Sequence, residues 1–253
     1  MLIGLAIGDA LGNTSEAVYP GDRQRRFGRI ESYLANHYAG GRAVGLPSGD
    51  TQLAAWTIEY LLEHGGLVSD QLSWTFATCR IFGIGKATRA FQAHRRAGAS
   101  WQAPGQRSAG NGVLMRIAPA VAWCDLLMRL LASEVPDGPA WWLDAYLRQG
   151  KRLEGRARYE PRVPSGLLEG WTGPAWQLID TRGNDTIAAI VGAAVGARHG
   201  LHALPREWRD GLLGRTGAED DGRYQELVAA AVARWGGGRQ PRVRTAIVRI
   251  NDR

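Results

Sequence analysis

The chain has 253 residues, 45% hydrophobic and 22% charged, which describes a globular protein with material for a sizeable core and excludes a disordered or fibrous one. Its formal charge is +7, but the basic residues are scattered arginines with no nucleic-acid reader motif beside them, so an anionic small ligand accounts for the charge as well as DNA or RNA does. Two cysteines, Cys79 and Cys124, lie far apart and outside any CxxC, which argues against a disulfide framework or zinc site and fits a reducing cytoplasm.

The first predicted element is an apolar helix over Gly4 to Gly12, with glycines every four residues that let a second helix approach closely. It carries no basic flank and Asp9 interrupts it, so a signal peptide is not expected; no charge-free run in the chain reaches about 18 residues, so neither is a membrane span. A carboxylate inside such a helix must be paired, hydrogen-bonded to neighbouring backbone, or linked to a metal; the sequence leaves these open for Asp9. Glu16 follows on a loop, where a carboxylate can face a cleft or only solvent. Residues 12 to 50 read as loop-rich, with Gly21, Gly28, Gly40, Gly41, Gly45 and Pro47.

Helices are predicted over Thr51 to His64, where Leu53, Trp56, Tyr60 and Leu61 share a face and Gly65 supplies the stop, and over Ser69 to Arg80. The loop Arg107-Ser108-Ala109-Gly110-Asn111-Gly112 offers backbone N–H groups suited to phosphate, or makes an ordinary turn. Val121 to Leu131 and Trp141 to Leu147 read as helices, and 150 to 184 as irregular. The last strong helix runs from Asp185 to Gly200, again with glycines four apart at Gly192 and Gly196. A glycine-rich linker near Gly236 leads to a basic tail. With no train of alternating strands, the expectation is an all-α protein whose functional groups sit at helix ends and loops.

Two short motifs open helical runs: Ser48-Gly49-Asp50-Thr51-Gln52 and Asn184-Asp185-Thr186. Each places a carboxylate beside a hydroxyl at a helix start. These oxygens suit a hard cation such as Mg²⁺, which keeps several waters; the simpler reading is that both are N-caps.

Taken together, GLAIGDALGNTSE at 4–16, GLPSGDTQLAAW at 45–56, RSAGNGVLMRIAPA at 107–120 and RGNDTIAAIVGAAVGARHG at 182–200 resemble the ADP-ribosylglycohydrolase family. The resemblance implies an all-α, single-domain orthogonal helical bundle over residues 1–213, shortened near 119–126 and 176–180, with 214–253 left as a C-terminal helix and basic tail. It implies a dinuclear Mg²⁺ site, or Mn²⁺ in its place, beneath an ADP-ribose cleft, and hydrolysis of the glycosidic bond joining ADP-ribose to an acceptor side chain of a modified protein. Carried over by position, Ser48, Asp50, Asp185 and Thr186 are metal ligands. Glu16 stands near the scissile bond and, with Asp50 and Asp185, forms the catalytic set. Ser108, Ala109, Gly110, Asn111 and Gly112 hold the diphosphate or ribose.

Two departures matter. Gly49 and Gly183 stand where the family carries further aspartates, so the metal shell is short of carboxylates and activity is expected to be impaired. Restoring aspartate at positions 49 and 183 is expected to strengthen Mg²⁺ binding. The alternative is a relative that binds ADP-ribose without cleaving it; a basic nucleic-acid-binding module is the third reading.

Overall fold

The computed structural model describes residues 1–65, 69–103, 184–217 and 221–235. Eight α-helices lie among them: α1 (Leu2–Asn13), α2 (Pro20–Phe27), α3 (Gly49–His64), α4 (Ser69–Thr78), α5 (Lys86–Arg96), α6 (Asn184–His199), α7 (Arg206–Asp210) and α8 (Arg223–Trp235). Extended pairing among the described residues is limited to the isolated bridges Asn36 to Arg42 and Gly45 to Leu212, so the all-α expectation holds. None of the described helices is long and apolar enough to cross a membrane. The loop 107–112, the predicted helices over 121–131 and 141–147, and Gly183 lie outside the described residues.

The centre of the fold is the antiparallel pair α1 and α6. A Cβ built on Gly4 would lie 2.0 Å from the Gly192 carbonyl oxygen, and one on Gly8 would lie 1.9 Å from that of Ala188. On Gly12 it would lie 2.5 Å from the Cα of Asp185. The two backbones therefore touch along three turns, and only glycine on α1 permits it. The i, i+4 spacing puts these glycines on one face, and the C-terminus of α1 is set against the first turn of α6.

A first apolar cluster gathers Ala6, Ile7 and Ala10 of α1 with Tyr33, Ala55, Leu204, Leu212, Tyr224 and Leu227. Helix α8 belongs to this core: Tyr224 is fully buried, and its hydroxyl donates to the Leu2 carbonyl at 2.7 Å. A second cluster joins Leu53 and Trp56 of α3 to Leu72, Phe76 and Ile81. There α5 clasps α4 through polar groups. Gln92 donates to the Phe76 carbonyl at 2.9 Å, and Arg95 pairs with Asp70.

The periodic reading placed α3, α4 and α6 within two residues at each end; Gly65 ends α3 at φ 67°. Three helices were not anticipated: the five-residue α7, α2 and α5. Helix α2, PGDRQRRF, is polar on nearly every face and sits within the stretch read as loop; it starts on Pro20, whose ring suits the first helical turn. Helix α5, KATRAFQAHRR, buries only Gln92 fully, so it too lacks an apolar stripe to announce it.

Candidate functional site

The site forms where the N-termini of α3 and α6 meet the C-terminal half of α1. Helix α3 starts on Ser48, whose hydroxyl accepts from the Asp50 N–H at 3.4 Å. Its first turn is also capped by Asp9, reaching across from α1. Asp9 Oδ2 accepts from the Ser48 N–H at 2.9 Å and the Thr51 N–H at 3.1 Å. The Thr51 hydroxyl donates to the same oxygen at 2.5 Å. Asp9 is fully buried; these donors favour its charged form, since N–H groups at a helix N-terminus are oriented toward an anion, but burial outweighs them and pushes its carboxyl above the usual range. The open question about Asp9 resolves in favour of backbone hydrogen bonding.

Helix α6 is seated by Asn184. Its amide donates to the Gly12 carbonyl at 2.9 Å and the Ser15 hydroxyl at 3.0 Å. That bond and the backbone contact at Gly12 fix the position of Asp185. Asp185 Oδ1 accepts from the Thr186 N–H at 2.7 Å. The Thr186 hydroxyl lies near enough to both Asp50 and Asp185 to favour their charged forms.

The electrostatics follow from burial. Asp50 is 3% exposed and Asp185 7%. Burial pushes Asp50 well above the usual carboxylate range, and the charges of Asp9, Asp185 and Glu16 push it further. Asp185 is pushed up to about 6, by burial first and then by Asp9. Glu16 is half-buried on the loop after α1, near enough for its charge to act on Asp50. The residue after it, Ala17, has φ 64°, a left-handed conformation that costs a non-glycine residue about 1 kcal/mol or more.

One oxygen reports on metal binding: among the described residues, Asp50 Oδ2 is buried with no hydrogen-bond partner. A buried carboxylate oxygen left bare is costly, and a cation would satisfy it. Among the described residues no three His, Cys, Asp or Glu side chains converge as a ready cation cage. The donors that fit are the Asp50 and Asp185 carboxylates with the Ser48 and Thr186 hydroxyls, an oxygen set that suits a hard cation retaining several waters. The Ser48 hydroxyl already accepts from the Asp50 N–H; a hydroxyl with two lone pairs has one site left.

Position 49 is closed to a side chain. A Cβ on Gly49 would lie 2.5 Å from the Phe82 carbonyl oxygen and 2.8 Å from Ile81 Cγ2. An aspartate there has no room for its first carbon, so restoring it does not simply rebuild a ligand.

Three supporting residues escaped the sequence reading. Gln52 accepts from the Phe82 N–H at 2.8 Å and donates to the Arg80 and Thr216 carbonyls at 3.2 and 3.1 Å. Phe82 carries the Arg215 guanidinium 3.7 Å from its ring centre, and Arg215 also donates to the Pro47 carbonyl. Only Gln52 had a signal, its place in the motif; nothing local marks Arg215, which arrives from 163 residues further along the chain than Gln52.

The family model described as ADP-ribosylglycohydrolase matches residues 1–135 and 180–240. These spans contain all four motif stretches and extend past Leu213 through α8. No curated protein sequence matches the chain.

Proposed function

Because the chain belongs to the ADP-ribosylglycohydrolase family, we propose that it hydrolyses the bond between C1″ of ADP-ribose and an acceptor side chain, with a divalent cation, Mg²⁺ or Mn²⁺, held by Asp50 and Asp185. The hydroxyls of Ser48 and Thr186 complete the donor set. The observation that carries the reading is the bare, buried Asp50 Oδ2 at the meeting of two helix N-termini.

The cation supplies positive charge that orients ribose hydroxyls and acidifies water. The chain's own groups do the rest. Asp9 holds the first turn of α3 in place through Ser48 and Thr51. Thr186 favours the charged forms of the two carboxylates. Glu16, half-buried at the edge of the site, carries a proton between water and the leaving atom: water oxygen bonds C1″, the glycosidic bond breaks, and the leaving atom takes the proton. The loop Ser108, Ala109, Gly110, Asn111 and Gly112 holds the diphosphate through backbone N–H groups.

The test is release of ADP-ribose from ADP-ribosyl-arginine and ADP-ribosyl-serine peptides, with Mg²⁺ or with EDTA. Turnover should need the metal and disappear in Asp50→Asn and Asp185→Asn. Turnover unchanged in either variant would remove the assignment. The closed position 49 favours a second reading, a protein that binds ADP-ribose without cleaving it. Metal-dependent binding of ADP-ribose with no release from either peptide would select that one.

A further inference from the structure

We propose that this site holds one divalent cation where the family resemblance implies a pair. The proposal rests on the reading of the site as a metal centre and concerns how many ions these residues can take. The first observation is the closure at Gly49. The Phe82 carbonyl accepts the Gly49 N–H at 3.0 Å and lies where a Cβ on that residue would have to go. Three further contacts lock this segment against α3. The Gln52 side chain accepts from the Phe82 N–H. The same side chain donates to the Arg80 carbonyl two residues earlier. Arg215 lies on the Phe82 ring and ties it to Pro47, immediately before the Ser48 cap. Space for a carboxylate at 49 is therefore taken up by backbone fixed from four directions, and a small rotamer change cannot reopen it.

The second observation is the carboxylate count. Asp9, the nearest further carboxylate, is already spent on the N–H groups of Ser48 and Thr51 and the hydroxyl of Thr51. Asp50 and Asp185 remain as the carboxylates that the two helix starts offer to a cation, with Glu16 at the edge of the site, near enough for its charge to act on Asp50. One divalent cation neutralises Asp50 and Asp185 and satisfies the bare Asp50 Oδ2. A second ion would need a further carboxylate ligand, and the described residues supply no third convergent acidic one.

The experiment uses the full chain with Mn²⁺ as probe. Calorimetry gives the stoichiometry, and electron paramagnetic resonance distinguishes an isolated ion, with its six-line spectrum, from a spin-coupled pair. The expected result is one Mn²⁺ per chain with an uncoupled spectrum, lost in Asp50→Asn. Gly49→Asp should melt at a lower temperature and still bind no more than one ion. Two ions with a coupled spectrum in the natural chain, or a second ion gained in a folded Gly49→Asp, would overturn the proposal while leaving the metal centre standing. No Mn²⁺ bound at all would overturn the metal-centre reading and this proposal with it.

Discussion

The two helix starts that carry the site's carboxylates are held in opposite ways. The first turn of α3 is held by side chains: Asp9 and Arg215 reach it from two other parts of the chain, and its own Gln52 reaches out to Phe82. The first turn of α6 is held chiefly by missing side chains, because Gly12 lets α1 lie directly against Asp185. A side-chain brace can be weakened one bond at a time. A backbone contact is either made or lost, since any Cβ forces the helices apart. Asp50 is therefore placed by several separable contacts and Asp185 by one interface.

The sharpest way to break the α6 side is Gly8→Ala, whose new methyl would press on the Ala188 carbonyl. Alanine would gain up to about 1 kcal/mol in helix propensity, but overpacking against backbone should outweigh it, with a net loss of about 3 kcal/mol. For a chain of this size that is a fall of roughly 6–12 °C in melting temperature, visible by calorimetry. A variant melting within a degree of the natural chain would show that the helices do not touch there. On the α3 side the corresponding change is Asp9→Ala. It strips the acceptor from two buried N–H groups and a hydroxyl and should cost about 2 kcal/mol, less than Gly8→Ala because it also removes a charge that opposes those of Asp50 and Asp185. Circular-dichroism melts of both variants would rank them; the reverse order would contradict the comparison.

The same contrast decides what the sequence could disclose. Helix α6 and the α1 glycines were legible because a repeated small residue at four-residue spacing has one strong physical use. The hydroxyl–carboxylate motifs were legible because both chemistry and capping favour those residues at a helix start. Long-range braces were not. Arg215 needs Phe82 and Pro47 beside it to mean anything, and sequence separation hides that. Gly49 was read as a missing ligand because only its lack of a carboxylate shows in the sequence; its close approach to Phe82 is a tertiary fact. Helix α2 was invisible to an argument from apolar periodicity because it has almost none.

The pair of carboxylates also predicts a pH dependence. Asp185 is raised to about 6 in the folded chain, against an ordinary value near 3.9, and Asp50 is raised too. Between those values the folded state binds more protons than the unfolded one. Stability of the metal-free protein should therefore be greatest below about pH 4 as far as these groups decide it, and should fall as pH rises through 6. Divalent cation should remove most of that fall at neutral pH, because it binds the ionised form. Urea melts at pH 5 and 7.5, with Mg²⁺ or EDTA, measure both slopes. A metal-free protein whose stability rises over this interval, after Asp50→Asn is used to subtract other groups, would contradict the burial argument.

The smallest effect on stability is expected from Ser48→Ala, and it separates the two meanings of the α3 motif. As a cap, Ser48 makes one long bond to the Asp50 N–H, and losing it costs about 1 kcal/mol. As a ligand it has one lone pair still free. Removing a metal's donor should lower affinity by at least the roughly 10–100-fold that loss of a supporting contact brings. The expected outcome is a melting temperature within about 4 °C of the natural chain without metal, together with a Mg²⁺ affinity at least tenfold weaker. Equal loss in both measurements would mean that the cap alone matters, its fraying carrying Asp50 out of position. Unchanged affinity would leave Asp50, Asp185 and Thr186 as the whole protein contribution among the named donors. Either result bears on the helix comparison, because among the described residues α6 has no such separable cap: its first-turn residue Asn184 is bound to Gly12 through the interface that places Asp185.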